Sequence, residues 1–342
     1  MAERQFKVVR VDKMQDRFPV QEEAEELAKV NAKIVIVDTD VEDEIVEAVK
    51  DADAIITAIG KITRRVMEAS PKCRAIVRYG IGYDTIDVKA ATDNGILVVN
   101  LPGFCTEEVA NHALALLLAC AKKLTLMNNM VKQGYWVEAK KAQAPMVSIY
   151  GQTLGLVGCG SIGRMTAKKA QCLGLRILGY DPYVDKSLVK ECGITLVSLP
   201  ELLRESDFVS VHTLLNEETR HLIGEKEFKQ MKPTAYYIST ARGPVTDEAA
   251  LIKALQEKWI AGAGLDVFEK EPVTLDNPLL KMDNVVVTPH SASYSEASFK
   301  RQRTSVGQEA ARVICGYWPK NWVNKTVKPK VNLVKGEPKW NH

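Results

Sequence analysis

The sequence predicts an α/β protein of two domains, each built on a parallel sheet. Three observations carry this. β-like and α-like segments alternate over the first hundred residues, a second such series begins near Gly151, and a long helical stretch separates the two. At 342 residues the chain is also long for a single hydrophobic core.

In the first series, strands are expected at Phe6 to Val11, Lys33 to Val37, Ala54 to Ile59, Ala75 to Tyr79 and Ile96 to Asn100. Helical patterns fall between them, at Gln21 to Val30, Val41 to Asp51, Thr63 to Ala69 and Asp87 to Asn94. Such alternation argues for parallel strands joined by crossover helices. Pro102-Gly103 then breaks the pattern at a domain crossing, and Thr106-Glu107-Glu108 opens a helix expected to reach about Gly134, with Thr106 as its N-cap. Its apolar run, Ala113 to Ala121, is far too short to span a bilayer and reads as a helix buried on all sides. Glu138 to Pro145 reads as a polar loop.

The second series turns on one stretch. Leu154, Leu156 and Val157 form an apolar run ending in Gly158-Cys159-Gly160-Ser161-Ile162-Gly163, and a helical segment with Ala167, Ala170 and Leu173 follows. In the dinucleotide fingerprint the first glycine permits a tight turn, the second lets backbone approach a pyrophosphate, and the third lets helix pack on strand. The phosphates would sit on the amides and positive dipole end of the helix opened by Ser161. A second run, Arg176 to Tyr180, ends in Asp181, where an acid that binds the ribose hydroxyls of NAD should fall. A lone GxGxxG is weak evidence. Flanked by a strand, a helix and that acid, it favours dinucleotide binding over an ordinary Gly-rich βα turn. Strands at Phe208 to His212, Ala235 to Ser239, Ala261 to Val267 and Val285 to Thr288 complete a six-stranded sheet, with His212 helping to wall the adenine or pyrophosphate site. Pro289 ends the series, and a helix at Glu296 to Cys315 leads into a tail read as a surface strap with solvated lysines.

The composition narrows the partners. With 46% apolar residues, 26% charged and a net charge of +3, nothing calls for nucleic acid or a membrane surface. The charged N-terminus does not read as a signal peptide. Seven cysteines, an odd count without CxxC spacing, suit reduced thiols in the cytoplasm. No His/Cys cluster has metal-ligand spacing, so no metal is expected, and His112 and His221 read as structural.

Three segments at late strand ends carry polar residues that a packed core does not require: Ser239 to Gly243, Asp266 to Pro272, and Thr288-Pro289-His290. In an open α/β sheet the carboxyl ends of the strands line the ligand crevice, so Arg242, Asp266, Glu271 and His290 could face one pocket. An arginine fork suits a carboxylate substrate, and a histidine oriented by a carboxylate suits general acid/base work near neutral pH. Taken singly, Arg242 or Glu271 is more often a surface ion-pair member and His290 a capped loop histidine. Spacing alone leaves the two readings about even.

The strings VRYGIGYDTID (from Val77), EEVANHALALLL (from Glu107), GLVGCGSIG (from Gly155), STARGPVTDEAAL (from Ser239), GLDVFEKEP (from Gly264) and TPH (from Thr288) resemble, in order, the motifs of the D-isomer-specific 2-hydroxyacid dehydrogenase family. The resemblance runs from about Lys7 to Asn324. It implies a Rossmann-type NAD-binding domain, 105–294, inserted into a flavodoxin-like substrate-binding domain made of 1–104 and a return helix and tail, 295–342. It implies NAD-dependent hydride transfer between a 2-oxo acid and a D-2-hydroxy acid in a homodimer whose seam is the helix from Thr106. Arg242, Glu271 and His290 would be catalytic. The Ile81 and Gly82 amides, with Arg78 nearby and Arg242, would hold the substrate carboxylate. Thr240, Ala241 and Asp266 would join Gly158, Gly160, Ser161, Ile162, Gly163, Asp181 and His212 around the cofactor, Asp266 at the nicotinamide carboxamide. HSASYSEAS and VRYGIGYD look most similar to the branch containing the C-terminal-binding-protein corepressors, although Ser293 stands where that branch has tryptophan. Pro244 and Asn111 also depart from residues frequent in the family. The resemblance leaves two alternatives: a phosphoglycerate dehydrogenase or hydroxypyruvate/glyoxylate reductase proper, or a non-catalytic NAD-sensing binding protein.

Overall fold

A computed structural model describes residues 4–13 and 20–338; the expectations for the charged N-terminus and the end of the tail fall partly outside them. The chain divides into two compact units, Met1–Phe104 with Ser295–His342, and Cys105–Tyr294.

The first unit runs β1 (Phe6–Val11), α1 (Gln21–Ala28), β2 (Ala32–Val37), α2 (Glu42–Val49), β3 (Ala54–Thr57), α3 (Arg64–Glu68), β4 (Ala75–Arg78), α4 (Val88–Asp93) and β5 (Leu97–Val99). All neighbours are parallel, in the order β2-β1-β3-β4-β5, which is the flavodoxin-like arrangement. β3 is buried along its whole length, as expected of a parallel strand covered on both faces. Thr63 and Asp87 cap α3 and α4 through their side chains.

In the second unit α5 (Thr106–Ala121), α6 (Leu124–Lys132) and α7 (Trp136–Ala142) precede the sheet. Then come β6 (Thr153–Val157), α8 (Ser161–Gln171), β7 (Arg176–Tyr180), α9 (Lys186–Glu191), β8 (Thr195–Leu196), α10 (Leu199–Glu205), β9 (Phe208–Val211), α11 (Glu225–Phe228), β10 (Tyr236–Ser239), α12 (Glu248–Gln256), β11 (Gly262–Leu265) and β12 (Val285–Val287). The seven strands are parallel in the order β12-β11-β10-β9-β6-β7-β8, so the winding reverses between β6 and β9, the switch point at which doubly wound sheets bind dinucleotides. One apolar cluster, around Phe228, Tyr237 and Leu251, and a second, around Leu116, Ala167 and Ile177, make up its core. The last helix, α13 (Glu296–Ile314), belongs to the first unit and packs on α1, β3 and β4.

Several expectations are corrected. The long helix does not reach Gly134: Lys123 turns left-handed (φ 49°), its amine donating to the Ala142 and Ala144 carbonyls, and α6 leaves at 62° to α5. Cys105 stands at the N-cap position, its side chain making no capping bond, and Thr106 is already helical. The stretch read as a polar loop holds α7, whose Glu, Ala and Lys residues are good helix formers with the acid first and the lysines last. Finally, the apolar run is not buried all round, since Ala115 faces outward. β8, two residues at the sheet edge, is a seventh strand too short to carry a pattern.

The tail does more than strap the surface. Asn324 is buried and bonds Val98 N, Ile96 O and Thr92 Oγ1, while the Lys330 amine, read as solvated, donates to the Ser70 and Pro71 carbonyls. None of the seven cysteines is in a disulfide; five are buried, Cys315 is half-buried and Cys172 is exposed. Among the described residues no single helix is long and apolar enough to cross a membrane.

Candidate active site

Each fingerprint glycine has a distinct geometric reason. Gly158 has φ 96°, and a Cβ there would lie 2.9 Å from the backbone of His212. At Gly160 an added Cβ would meet nothing within 4 Å, so the backbone faces open space. A Cβ on Gly163 would fall 2.2 Å from the Gly158 carbonyl, which shows how closely α8 packs on the turn. The Ser161 and Ile162 amides lie in the first turn of α8 and have no intrahelical acceptor. Asp181 ends β7 and ties the fingerprint to the next loop: Oδ2 accepts from Cys159 N at 2.8 Å, and Oδ1 from Tyr183 N and Val184 N at 2.9 and 3.0 Å. Arg164, which sequence reasoning did not single out, donates to the Cys159 carbonyl at 2.9 Å and so holds a cation at the turn. Burial, followed by the nearby Asp181 charge, pushes the Cys159 thiol up to about 12, so it stays a neutral packing group.

The residues around this turn fit a dinucleotide. His212 Nδ1, Thr213 Oγ1 and Thr240 Oγ1 are buried atoms with no hydrogen-bond partner among the described residues. All three follow strands β9 and β10, on the side of β6 where the winding reverses. Buried polar atoms are ordinarily satisfied, so three orphans beside an open glycine turn suit a polar ligand. His212 Nε2 lies 3.0 Å from Ser210 Oγ, and loss of hydration pushes its imidazole down to about 4, which keeps a neutral ring there. Thr213 was not singled out in the sequence, where a lone threonine after a strand carries no signal.

The other polar residues gather at the ends of β10, β11 and β12. His290 Nδ1 lies 2.7 Å from Glu271 Oε2, and Glu271 Oε1 accepts from Phe268 N at 3.0 Å. Burial opposes ionisation of Glu271, but the hydrogen bond and charge of His290, with the charge of Arg242 adding to them, hold its carboxyl below its usual value. Arg242 is half-buried and donates to the Ala241 carbonyl at 2.8 Å. The next residue brings two loops together: a Cβ on Gly243 would sit 1.8 Å from the Phe268 carbonyl oxygen. Pro244 suits the single 3-10 turn in which it stands. Glu269 is pinned by His221 at 2.7 Å and by its own amide on Glu248 at 2.9 Å, so the loop bearing Glu271 is held on both sides.

Asp266, expected at the nicotinamide carboxamide, is buried and anchors the His290 loop. Its Oδ1 accepts from Thr288 Oγ1 at 2.6 Å and Ser291 N at 2.8 Å, Oδ2 accepts from Ala292 N at 2.8 Å, and its carbonyl accepts from His290 N at 2.8 Å. His112 joins this cluster, 2.8 Å from Thr288 Oγ1. It reaches a polar group of the site from α5, a neighbour that spacing along the chain does not reveal. Asn111, the adjacent departure from the family pattern, accepts from Lys169 at 2.6 Å on the outer surface.

Arg78, Ile81 and Gly82 belong to the first unit, at the end of β4. Gly80 has φ 123°, Arg78 Nη1 donates to the Tyr79 carbonyl, and Asn100 Nδ2 donates to the Ile81 carbonyl at 2.7 Å. The Ile81 and Gly82 amides donate to no group among the described residues.

Residues 114–292 match the model of the NAD-binding domain of the D-isomer-specific 2-hydroxyacid dehydrogenases. The chain belongs to this family. It is 47% identical over 288 residues to a glyoxylate reductase of Korarchaeum cryptofilum, covering 83% of this chain and 86% of that one. It is 38% identical over 322 residues to a D-3-phosphoglycerate dehydrogenase of Methanocaldococcus jannaschii, covering 94% of this chain but 61% of that longer protein. Among solved structures, D-lactate dehydrogenase from Aquifex aeolicus in complex with NAD and lactic acid superposes with a TM-score of 0.79 at 32% identity, covering 88% of this chain and 93% of that one. This D-2-hydroxyacid dehydrogenase therefore takes NAD and interconverts a 2-oxo acid and a 2-hydroxy acid by hydride transfer.

Proposed function

We propose that the dehydrogenase reduces a small 2-oxo acid of the glyoxylate class, with His290 as general acid/base, Glu271 as its partner and Arg242 as the carboxylate clamp. The observation that carries this is the 2.7 Å contact between His290 Nδ1 and Glu271 Oε2, with the Arg242 charge acting on the same carboxylate. Glu271 occupies Nδ1, which leaves Nε2 to hand a proton to the substrate oxygen. Arg242 fixes the carboxylate with its planar fork and polarises the ketone. The Ile81 and Gly82 amides, with Arg78 nearby, hold carboxylate oxygens, so the first unit serves as the substrate-binding domain. Gly158, Gly160, Ser161, Ile162, Gly163, Asp181, His212, Thr240, Ala241 and Asp266 hold the cofactor. Bound NADH supplies the hydride to C2.

The substrate class is supported by identity to relatives named for glyoxylate, 39% to 47% for several and 47% for that of Korarchaeum cryptofilum, against 38% for two named for phosphoglycerate. Purified chain and NADH should turn over glyoxylate or hydroxypyruvate faster than pyruvate and phosphohydroxypyruvate, and His290→Asn should remove most of that rate. A preference for phosphohydroxypyruvate would reassign the substrate. A chain that binds NADH yet reduces no member of the panel would favour the corepressor-like reading, which rests on the likeness of two segments alone.

We also propose a cytoplasmic homodimer. Seven cysteines outside any disulfide suit a reducing compartment. After the bend at Lys123, the consecutive Tyr135, Trp136 and Val137 expose apolar side chains, Trp136 at 61%, and Tyr150 further on is 81% exposed, as a surface covered by a second copy would be. Light scattering should give twice the chain mass; a single-chain mass would overturn this.

A further inference from the structure

We propose that Tyr79 and Glu23 form a buried positioning pair that sets the Gly80-Ile81-Gly82 turn for the substrate carboxylate. This rests on the reading of the Ile81 and Gly82 amides as carboxylate donors. Tyr79 is the residue between the end of β4 and that turn, and it is only 7% exposed. Its amide is fixed on the Thr57 carbonyl at 2.9 Å, and its hydroxyl donates to Glu23 Oε1 on α1. Glu23 is fully buried, and its Oε2 has no hydrogen-bond partner among the described residues.

A buried carboxyl with one satisfied oxygen is costly, and an apolar pair of similar volume would pack at least as well. The surroundings are nevertheless built to keep it. The Arg10 guanidinium, itself buried, stands 5.4 Å from the Tyr79 ring centroid and 3.9 Å from Asp12. Gly307 of α13 lets the helix close over Glu23, since a Cβ there would lie 2.9 Å from the Glu23 Cα. Arg303, one turn earlier on α13, grips Glu22 through two bonds of 2.7 and 2.9 Å. The α1–α13 pair thus seals the phenol and carboxyl from water, where their hydrogen bond is strongest.

The bond acts on the turn because of what holds the other side. Asn100 Nδ2 grips the Ile81 carbonyl and Leu101 N donates to the Gly80 carbonyl at 2.9 Å, so both carbonyls of the turn point toward the end of β5. With the Tyr79 side chain tethered to α1, the turn is held at both ends and the Ile81 and Gly82 amides keep one direction. Without the hydroxyl, the Tyr79 side of the turn keeps only its amide on Thr57, and Gly80, at φ 123°, lets the amides shift within the bonds from Asn100 and Leu101.

Tyr79→Phe should raise KM for the 2-oxo acid about fivefold to tenfold, the worth of one buried hydrogen bond, with kcat within about twofold and KM for NADH unchanged. Glu23→Gln, which keeps an acceptor, should stay near wild type, and Glu23→Ala should reproduce Tyr79→Phe. Ile81→Pro removes one amide donor and separates the two failures. If Ile81→Pro leaves KM for the oxo acid unchanged, the amide reading falls. If Ile81→Pro raises it and Tyr79→Phe does not, the amides stand and the positioning pair is overturned. Equal losses for NADH and oxo acid in Tyr79→Phe would mark a general loss of structure and would also overturn the pair.

Discussion

His290 is held twice over, by its backbone amide on the Asp266 carbonyl and by Nδ1 on Glu271. Against the cost of burial, the same contact holds the Glu271 carboxyl below its usual value, so an anion faces Nδ1. With His290 as the proposed general acid/base, reduction calls for its protonated form and oxidation for the neutral ring. Glu271→Gln keeps a hydrogen-bonding group but removes the charge, so the alkaline fall of the reduction rate and the acid fall of the oxidation rate should both move to lower pH. Unmoved limbs in this variant, together with their loss in His290→Asn, would show that Glu271 is not the partner. For Arg242, lysine keeps the charge and loses the fork. Arg242→Lys should lower kcat and raise KM together, roughly 100-fold in kcat/KM, and near-normal steady-state kinetics would remove Arg242 from the pocket.

The β6–α8–β7 element makes two predictions about the cofactor. Gly163→Ala drives a methyl into the Gly158 carbonyl from 2.2 Å away, so the helix must lift from the turn. KM for NADH should rise at least tenfold while the pH limbs stay in place, because His290 and Glu271 lie on other loops. Asp181 puts a negative charge at the end of β7, where a ribose 2′-phosphate would meet it, so NAD should be preferred over NADP. Equal kcat/KM for the two cofactors would contradict this, and Asp181→Ser should narrow whatever gap exists. At this scale the parallel strands were legible, because β3 and its neighbours are short apolar runs bounded by turn residues. β8 has two residues and no periodicity to read. The bend at Lys123 was hidden because its cause, a lysine amine reaching carbonyls about twenty residues on, is not a local signal. The proposed trio of Arg242, Glu271 and His290 could be named because each member follows a strand end in a recognisable motif. Thr213 and His112 could not, since their significance lies in a neighbouring strand and in a helix from a different part of the chain.

For the molecule as a whole, acid stability should carry a mark of the cofactor site. The folded His212 imidazole titrates near 4, whereas an unfolded one titrates near 6.5. As pH falls from about 6.5 the unfolded chain takes up this proton first, so stability is lost between about pH 6.5 and 4, roughly 3 kcal/mol in all, and is constant in this respect above and below. Chemical denaturation of the cofactor-free chain should show that slope, and His212→Gln should flatten it. An unchanged slope would mean that His212 is hydrated. Saturating NADH should raise the unfolding midpoint by mass action.

The uneven exposure of the cysteines makes the chain easy to instrument. Cys172 is the exposed thiol, directly after the last residue of α8, while Cys159, in the fingerprint turn at the far end, stays protonated and enclosed. A maleimide fluorophore should therefore couple at Cys172 without engineering, about 16 Å along the helix axis from the Ser161 and Ile162 amides proposed to hold the pyrophosphate. Titrating the labelled chain with NADH turns that helix into an optical gauge of cofactor arrival, readable by energy transfer from the reduced nicotinamide before any oxo acid is added.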